Sequence, residues 1–157
     1  MKAIIEIPKG DTRRRHLKKD KTGFIDLGPI VDVIPVNGGM TPANYGFIPG
    51  TLTKADGDEV DELIISEKDL TVGEEVDFEP IALLKREDGD NKVIGVDETT
   101  NTLKQWTDIS ENIRKLIEDF VGYHHKIVAV EDAGRAIEYV EENKMEEGIV
   151  LIASSDE

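Results

Sequence analysis

The stretch Asp56-Gly57-Asp58-Glu59-Val60-Asp61-Glu62-Leu63-Ile64-Ile65 runs an acidic turn straight into an apolar segment. Carboxylates crowded in this way repel one another unless cations sit between them, and hard divalent cations such as Mg²⁺ take oxygen ligands in this number. An Asp-Gly turn in an acidic chain is equally well the tip of a solvated surface loop. The local pattern leaves both readings open, so the decision passes to the rest of the chain.

Upstream, Ala3 to Ile7 alternates weakly and ends at Pro8, as a strand entering a loop does. Arg13 to Lys18 and Phe24 to Leu27 flank the turn-forming residues 19–23 and predict a hairpin. Gly28-Pro29 breaks the second strand, Ile30 to Ile34 predicts another short one, and residues 35–42 form a loop rich in breakers. Downstream, Glu62 to Ser66, Val76 to Lys85 and Lys92 to Val96 are strand-like. A second acidic turn, Glu87-Asp88-Gly89-Asp90-Asn91, separates the last two, so both aspartate clusters fall at strand ends, where a barrel rim brings them together.

The period then changes. Ser110 caps a helix over 111–121 with Ile113, Leu116, Ile117 and Phe120 on one face and Gly122 at its end. Lys126 to Val130 predicts a strand, and Asp132 caps a second helix to about Asn143 that turns Ala136, Ile137 and Val140 inward. Ile149 to Ala153 predicts a last strand.

At 157 residues the chain suits one domain spanning 1–157. No run is apolar enough to cross a bilayer and no signal-peptide pattern opens the chain, so a soluble cytoplasmic protein without membrane partners is expected. Cysteine is absent, which leaves carboxylates and His for any metal work. Asp and Glu number 34 against 19 Lys and Arg, a formal charge of −15 that argues against nucleic acid as a partner. Counting from Asp56 puts Val60 and Asp61 where an EF-hand needs an oxygen ligand and Gly, and no Gly-rich phosphate loop ends in Lys. Adjacent His124-His125 after a helix is a common surface feature, and Trp106 and Phe120 suit a core.

A combination breaks the tie. Asn44-Tyr45-Gly46-Phe47-Ile48-Pro49, then Asp56-Gly57-Asp58-Glu59-Val60-Asp61, then Asp88-Gly89-Asp90-Asn91-Lys92 occur in one chain of this length. With Ile5-Glu6-Ile7-Pro8 and Phe120-Val121-Gly122-Tyr123, they resemble the soluble, family I inorganic pyrophosphatases over nearly the whole chain. The resemblance implies a mainly β, α+β fold: a five-stranded OB-type β-barrel flanked by two helices. It implies hydrolysis of inorganic pyrophosphate to two phosphates with several Mg²⁺ ions. Asp56, Asp61, Asp88 and Asp90 would hold metal, Glu6 would order water around another ion, and Asp58 would be the general base. Arg15, Tyr45, Lys92, Tyr123 and His124 match positions that contact phosphate or the carboxylates. A homo-oligomer, a hexamer as in bacterial and archaeal members, is implied as well.

The departures lie on the phosphate-binding side. Arg15 stands for a lysine, and Leu17, or His16 one register earlier, for a glutamate. Gly28-Pro29 stands near an arginine, Thr41 for a tyrosine and His124 for a lysine. Arg13, Arg14 and Lys54 are the candidates to restore positive charge, and the signature carries Glu59 in place of Pro and Glu62 in place of an apolar residue. These losses leave two other readings: a phosphohydrolase of another diphosphate such as a nucleotide, and a non-catalytic metal- or phosphate-binding module.

Overall fold

In the computed structural model, which describes residues 1–18, 20 and 22–145, eight strands precede a helix, a ninth strand and a second helix. The strands are β1 (Lys2–Ile7), β2 (Arg13–Leu17), β3 (Phe24–Pro29), β4 (Asn44–Ile48), β5 (Val60–Ile65), β6 (Glu75–Asp77), β7 (Glu79–Arg86), β8 (Lys92–Val96) and β9 (Ile127–Asp132). The helices are α1 (Glu111–Val121) and α2 (Ala133–Glu142). Strands β2 and β3 form a hairpin of their own, and the other seven follow the order β6-β1-β4-β5-β8-β7-β9.

No ladder joins the two ends of that order among the described residues. The chain joins them instead: β6 pairs with β1, β7 pairs with β8, and only Phe78 separates β6 from β7. Five members therefore form the ring, namely β1, β4, β5, β8 and the bent β6–β7 segment. The single long strand expected over Val76 to Lys85 is two strands for this reason. Pro80 lies at the register shift opposite β8, where its missing N–H costs no ladder bond. Gly95 makes room for the bend, since a Cβ there would stand 2.3 Å from the Phe78 ring.

Two apolar clusters follow from the alternation of the strands. One takes Ile5, Ile48, Val60, Ile64, Val76, Phe78, Leu83 and Val93 from every member of the ring and is capped by Ala136 and Val140 of α2. The other packs Leu63, Ala82, Leu84, Ile94 and Val96 against Ile117, Phe120 and Val121 of α1, with Trp106 at its side. Ser110 Oγ accepts the Ile113 N–H and Asp132 accepts the Arg135 N–H, so both predicted caps start their helices.

Three further expectations are corrected. Ile30 to Ile34 is not a strand: Ile30–Asp32 is a 3₁₀ turn in which the Val33 N–H bonds the Ile30 carbonyl at 2.9 Å. Ile137 is 44% exposed rather than inward, because the face of α2 against the ring is narrower than the apolar stripe. Strand β9 begins at Ile127 and extends to Asp132, directly into the cap of α2. The strand predicted for 149–153 lies outside the described residues.

Candidate active site

A cavity of about 220 Å³ opens between the ring and the β2–β3 hairpin. Its acidic wall is Glu6, Asp56, Asp58 and Asp61, its basic wall is Arg14, Arg15 and His16, and Leu27, Ile30, Ile34 and Phe120 supply an apolar side.

The sheet register builds the acidic wall. Asp61 follows the acidic turn as the second residue of β5 and lies opposite Lys92 of the parallel strand β8. Tyr45 of β4 faces Leu63, which puts it diagonally across from Asp61 on the same face. Accordingly the Tyr45 hydroxyl donates to Asp61 at 2.9 Å and Lys92 Nζ donates to the same oxygen at 2.5 Å. Lys92 Nζ also lies 3.1 Å from Asp90, and Arg86 reaches Asp90 at 3.4 Å and Asp88 at 2.6 Å. The result is a run of alternating charge, Asp61, Lys92, Asp90, Arg86, Asp88, along the ends of β5, β8 and β7. In the acidic turn, the Asp58 N–H donates to Asp56 at 3.0 Å, and Thr53 Oγ1 donates to the same carboxylate. Gly57, at φ +70°, permits this tight reversal.

Burial sets the protonation of this wall. Glu6 is pushed up to about 7 chiefly by its burial, against the Leu17 N–H that donates to it at 2.8 Å. Asp90 is raised, again first by burial, with Lys92 opposing. Burial also works against ionised Asp88, but Arg86 and the Asp90 N–H outweigh it and hold that carboxyl low. The Tyr45 phenol is raised well above its usual range by burial and then by Asp61.

The hairpin carries the basic wall. His16 spans the cavity edge, with Nδ1 3.3 Å from Glu6 and Nε2 3.3 Å from Asp58. Arg15 is paired with Asp11 at 2.5 Å, and Arg13 is turned away onto Asp26. Of the three candidates to restore positive charge, Arg14 is the one on the cavity wall. Leu17 serves Glu6 through its backbone N–H, so a hydrophobic side chain suffices there.

Of the expected site residues, Asp88, Asp90, Lys92, Tyr123 and His124 do not line the cavity. Tyr123 is half exposed with its ring against that of His124, and His124 Nε2 lies 2.7 Å from the Val33 carbonyl, tying the end of α1 to the 3₁₀ turn. Thr41 is buried with its hydroxyl on the Ala43 carbonyl, a role in the loop rather than in the cavity. Sequence reasoning missed Arg86 altogether, although its spacing two and four residues before Asp88 and Asp90 was a usable signal. It noted Glu62 as a departure and did not foresee that this side chain is wholly buried with both oxygens unpartnered among the described residues.

The donor set of the acidic wall is all oxygen, which suits a hard cation, and the buried Asp90 Oδ1 has no hydrogen-bond partner among the described residues. No three of these side chains converge on one point among the described residues, because Lys92 and Arg86 are interleaved between them.

A curled OB-type barrel with a carboxylate wall facing a cationic hairpin defines an α+β protein built to receive a small polyanion. A family model described as inorganic pyrophosphatase matches residues 3–155, and the chain belongs to that family. The inorganic pyrophosphatase of Aquifex pyrophilus is 36% identical over 132 residues, covering 79% of this chain and 71% of the relative. The crystal structure of an inorganic pyrophosphatase from Neisseria gonorrhoeae superposes with a TM-score of 0.78 at 26% identity, covering 91% of this chain and 88% of that one. That of the Ehrlichia chaffeensis inorganic pyrophosphatase reaches a TM-score of 0.81 at 24% identity, covering 91% and 92%, and speaks for the fold. No helix among the described residues is long and apolar enough to cross a membrane.

Proposed function

We propose that the chain is an inorganic diphosphatase that hydrolyses pyrophosphate to two phosphates in the cavity between the ring and the hairpin. The observation that carries this is the meeting of Asp56, Asp58 and Asp61 with Arg14 and Arg15 around one opening, in a chain of the pyrophosphatase family.

Asp56, Asp61 and Asp90 would hold divalent cations, with Glu6 ordering water nearby, and Mg²⁺ fits their oxygen donors. When bound, Mg²⁺ supplies Lewis acidity and makes water a nucleophile at neutral pH. Asp58 takes the proton of the attacking water as its oxygen bonds to one phosphorus and the bridging P–O bond breaks. Its neighbour His16 holds the carboxylate from the hairpin side. Arg14 and Arg15 neutralise phosphate oxygens while Lys92 balances Asp61 and Asp90, so the protein contributes mostly position and charge. Tyr45 orients Asp61 through its hydroxyl. Tyr123 and His124 steady the loop beneath the opening. Colorimetric phosphate release from pyrophosphate with Mg²⁺ tests the reading; none at micromolar enzyme with metal bound would remove it.

The apolar side of the cavity favours a second reading. Leu27, Ile30, Ile34 and Phe120 offer pyrophosphate nothing to bond, but they suit the organic group of a substituted diphosphate such as a nucleotide. A substrate panel separates the two by which compound turns over faster. We further take the protein to be a cytoplasmic homo-oligomer, a hexamer by its family, in line with curated relatives named as soluble enzymes. Light scattering giving the mass of one chain would refute the assembly.

A further inference from the structure

Arg86 ends β7 where that strand passes the C-terminus of α1. Its side chain is 13% exposed. Nε donates to Asp88 Oδ1 at 3.0 Å and Nη2 to Asp88 Oδ2 at 2.6 Å, a two-pronged match that fixes the guanidinium plane. Nη2 also reaches Asp90 Oδ2 at 3.4 Å, and Nη1 donates to the Val121 carbonyl at 3.3 Å. That carbonyl belongs to the last turn of α1, where the helix leaves acceptors unsatisfied and favours positive charge. His125 Nε2 lies 3.7 Å from Asp88 Oδ2 as well.

A guanidinium cannot lose its proton at any working pH. Asp88 and half of Asp90 are therefore neutralised permanently, by a group held from both a strand end and a helix end. A divalent ion seeking Asp88 would have to displace a largely buried cation and leave it only the helix carbonyl and a long contact to Asp90. We propose that Arg86 is a resident cation that closes the Asp88 end of the site to divalent ions, so that Asp88 is a partner of Arg86 and not a metal ligand. Metal binding is confined to the side of Asp56, Asp61 and Asp90, where Asp90 keeps its unpartnered Oδ1. The proposal rests on the preceding reading only in taking those carboxylates as the metal-binding ones.

The test counts Mn²⁺ bound per chain by equilibrium dialysis and electron paramagnetic resonance, with no pyrophosphate present. Arg86→Met should bind one Mn²⁺ more than the wild type, and Arg86→Met/Asp88→Asn should lose it again. Asp88→Asn alone should bind the same number as the wild type. An unchanged count in Arg86→Met, or the loss of one ion in Asp88→Asn, would overturn the proposal. If Arg86→Met does not fold, as circular dichroism would show, Asp88→Asn still decides. Because no substrate is used, the count stands apart from hydrolysis: an enzyme without turnover can still give the predicted numbers.

Discussion

The two walls of the cavity are built by different means. Asp61, Lys92 and Tyr45 stand on adjacent strands of a seven-stranded sheet, in register and packed from behind by α1. Arg14, Arg15 and His16 stand on a two-stranded hairpin, all of whose β2 residues are only half buried. A side chain in the first setting has lost its water and depends on its partner, whereas one in the second keeps solvent as an alternative. The departures from the family pattern at Arg15, His16 and Leu17 fall in the second setting. Glu62, wholly buried on β5, is the departure that falls inside the ring.

Substitutions on the two walls can break this contrast. Lys92 is 4% exposed and separates Asp61 from Asp90, so Lys92→Met leaves two partly buried carboxylates facing each other. It should cost about 3–5 kcal/mol of unfolding free energy in urea titrations. A loss below about 1 kcal/mol would mean that the acidic wall is far wetter than its packing suggests.

Glu62 sharpens the comparison from inside the ring. It is wholly buried, and burial first, then Asp61 and Glu6, raises its carboxyl well above the usual range. Such a group binds its proton more tightly folded than unfolded, so its contribution is complete below about pH 4.5 and is lost as pH rises toward the folded value. Glu6, raised to about 7, acts in the same direction between roughly pH 4.5 and 7. Glu62→Leu should raise stability at neutral pH by about 1–3 kcal/mol, since no partner is left behind. It should also flatten the fall of stability with rising pH. Thermal melts across that range check both, and a destabilised variant would show that Glu62 has a partner within the ring.

On the hairpin the effects are smaller. His16→Ala removes a contact 3.3 Å from Asp58 and should lower kcat several-fold with KM little changed; a change confined to KM would make His16 a substrate ligand instead. Arg13, 42% exposed and paired with Asp26, is the weakest case, and Arg13→Ala should leave both the melting temperature and turnover unchanged.

Much of this was legible because its causes are local. Ser110 and Asp132 cap helices through bonds within three residues, and the Asp-Gly turns announce strand ends. The acidic cluster could be recognised, but what lies between its members could not. Lys92 meets Asp61 through the parallel pairing of β5 and β8, and Arg86 meets Val121 through the passage of β7 under α1. Both are contacts between segments about 30 residues apart in the chain. Ile30 to Ile34 read as a strand from its apolar residues, but Pro29 before it and the 3₁₀ bonds after it make a turn. His124 read as a phosphate contact by position, and its partner, the Val33 carbonyl, lies 91 residues away.

Asp58 joins the two walls, sitting on the acidic turn and touching His16 of the hairpin. The most direct test is therefore phosphate release from pyrophosphate with Mg²⁺ by the wild type and by Asp58→Asn, with Mn²⁺ binding measured on both. The account predicts turnover by the wild type, a loss of about 10²–10⁴-fold in Asp58→Asn, and metal binding that survives. Equal turnover by both proteins, or no phosphate released by a wild type that has bound its metal, would contradict it.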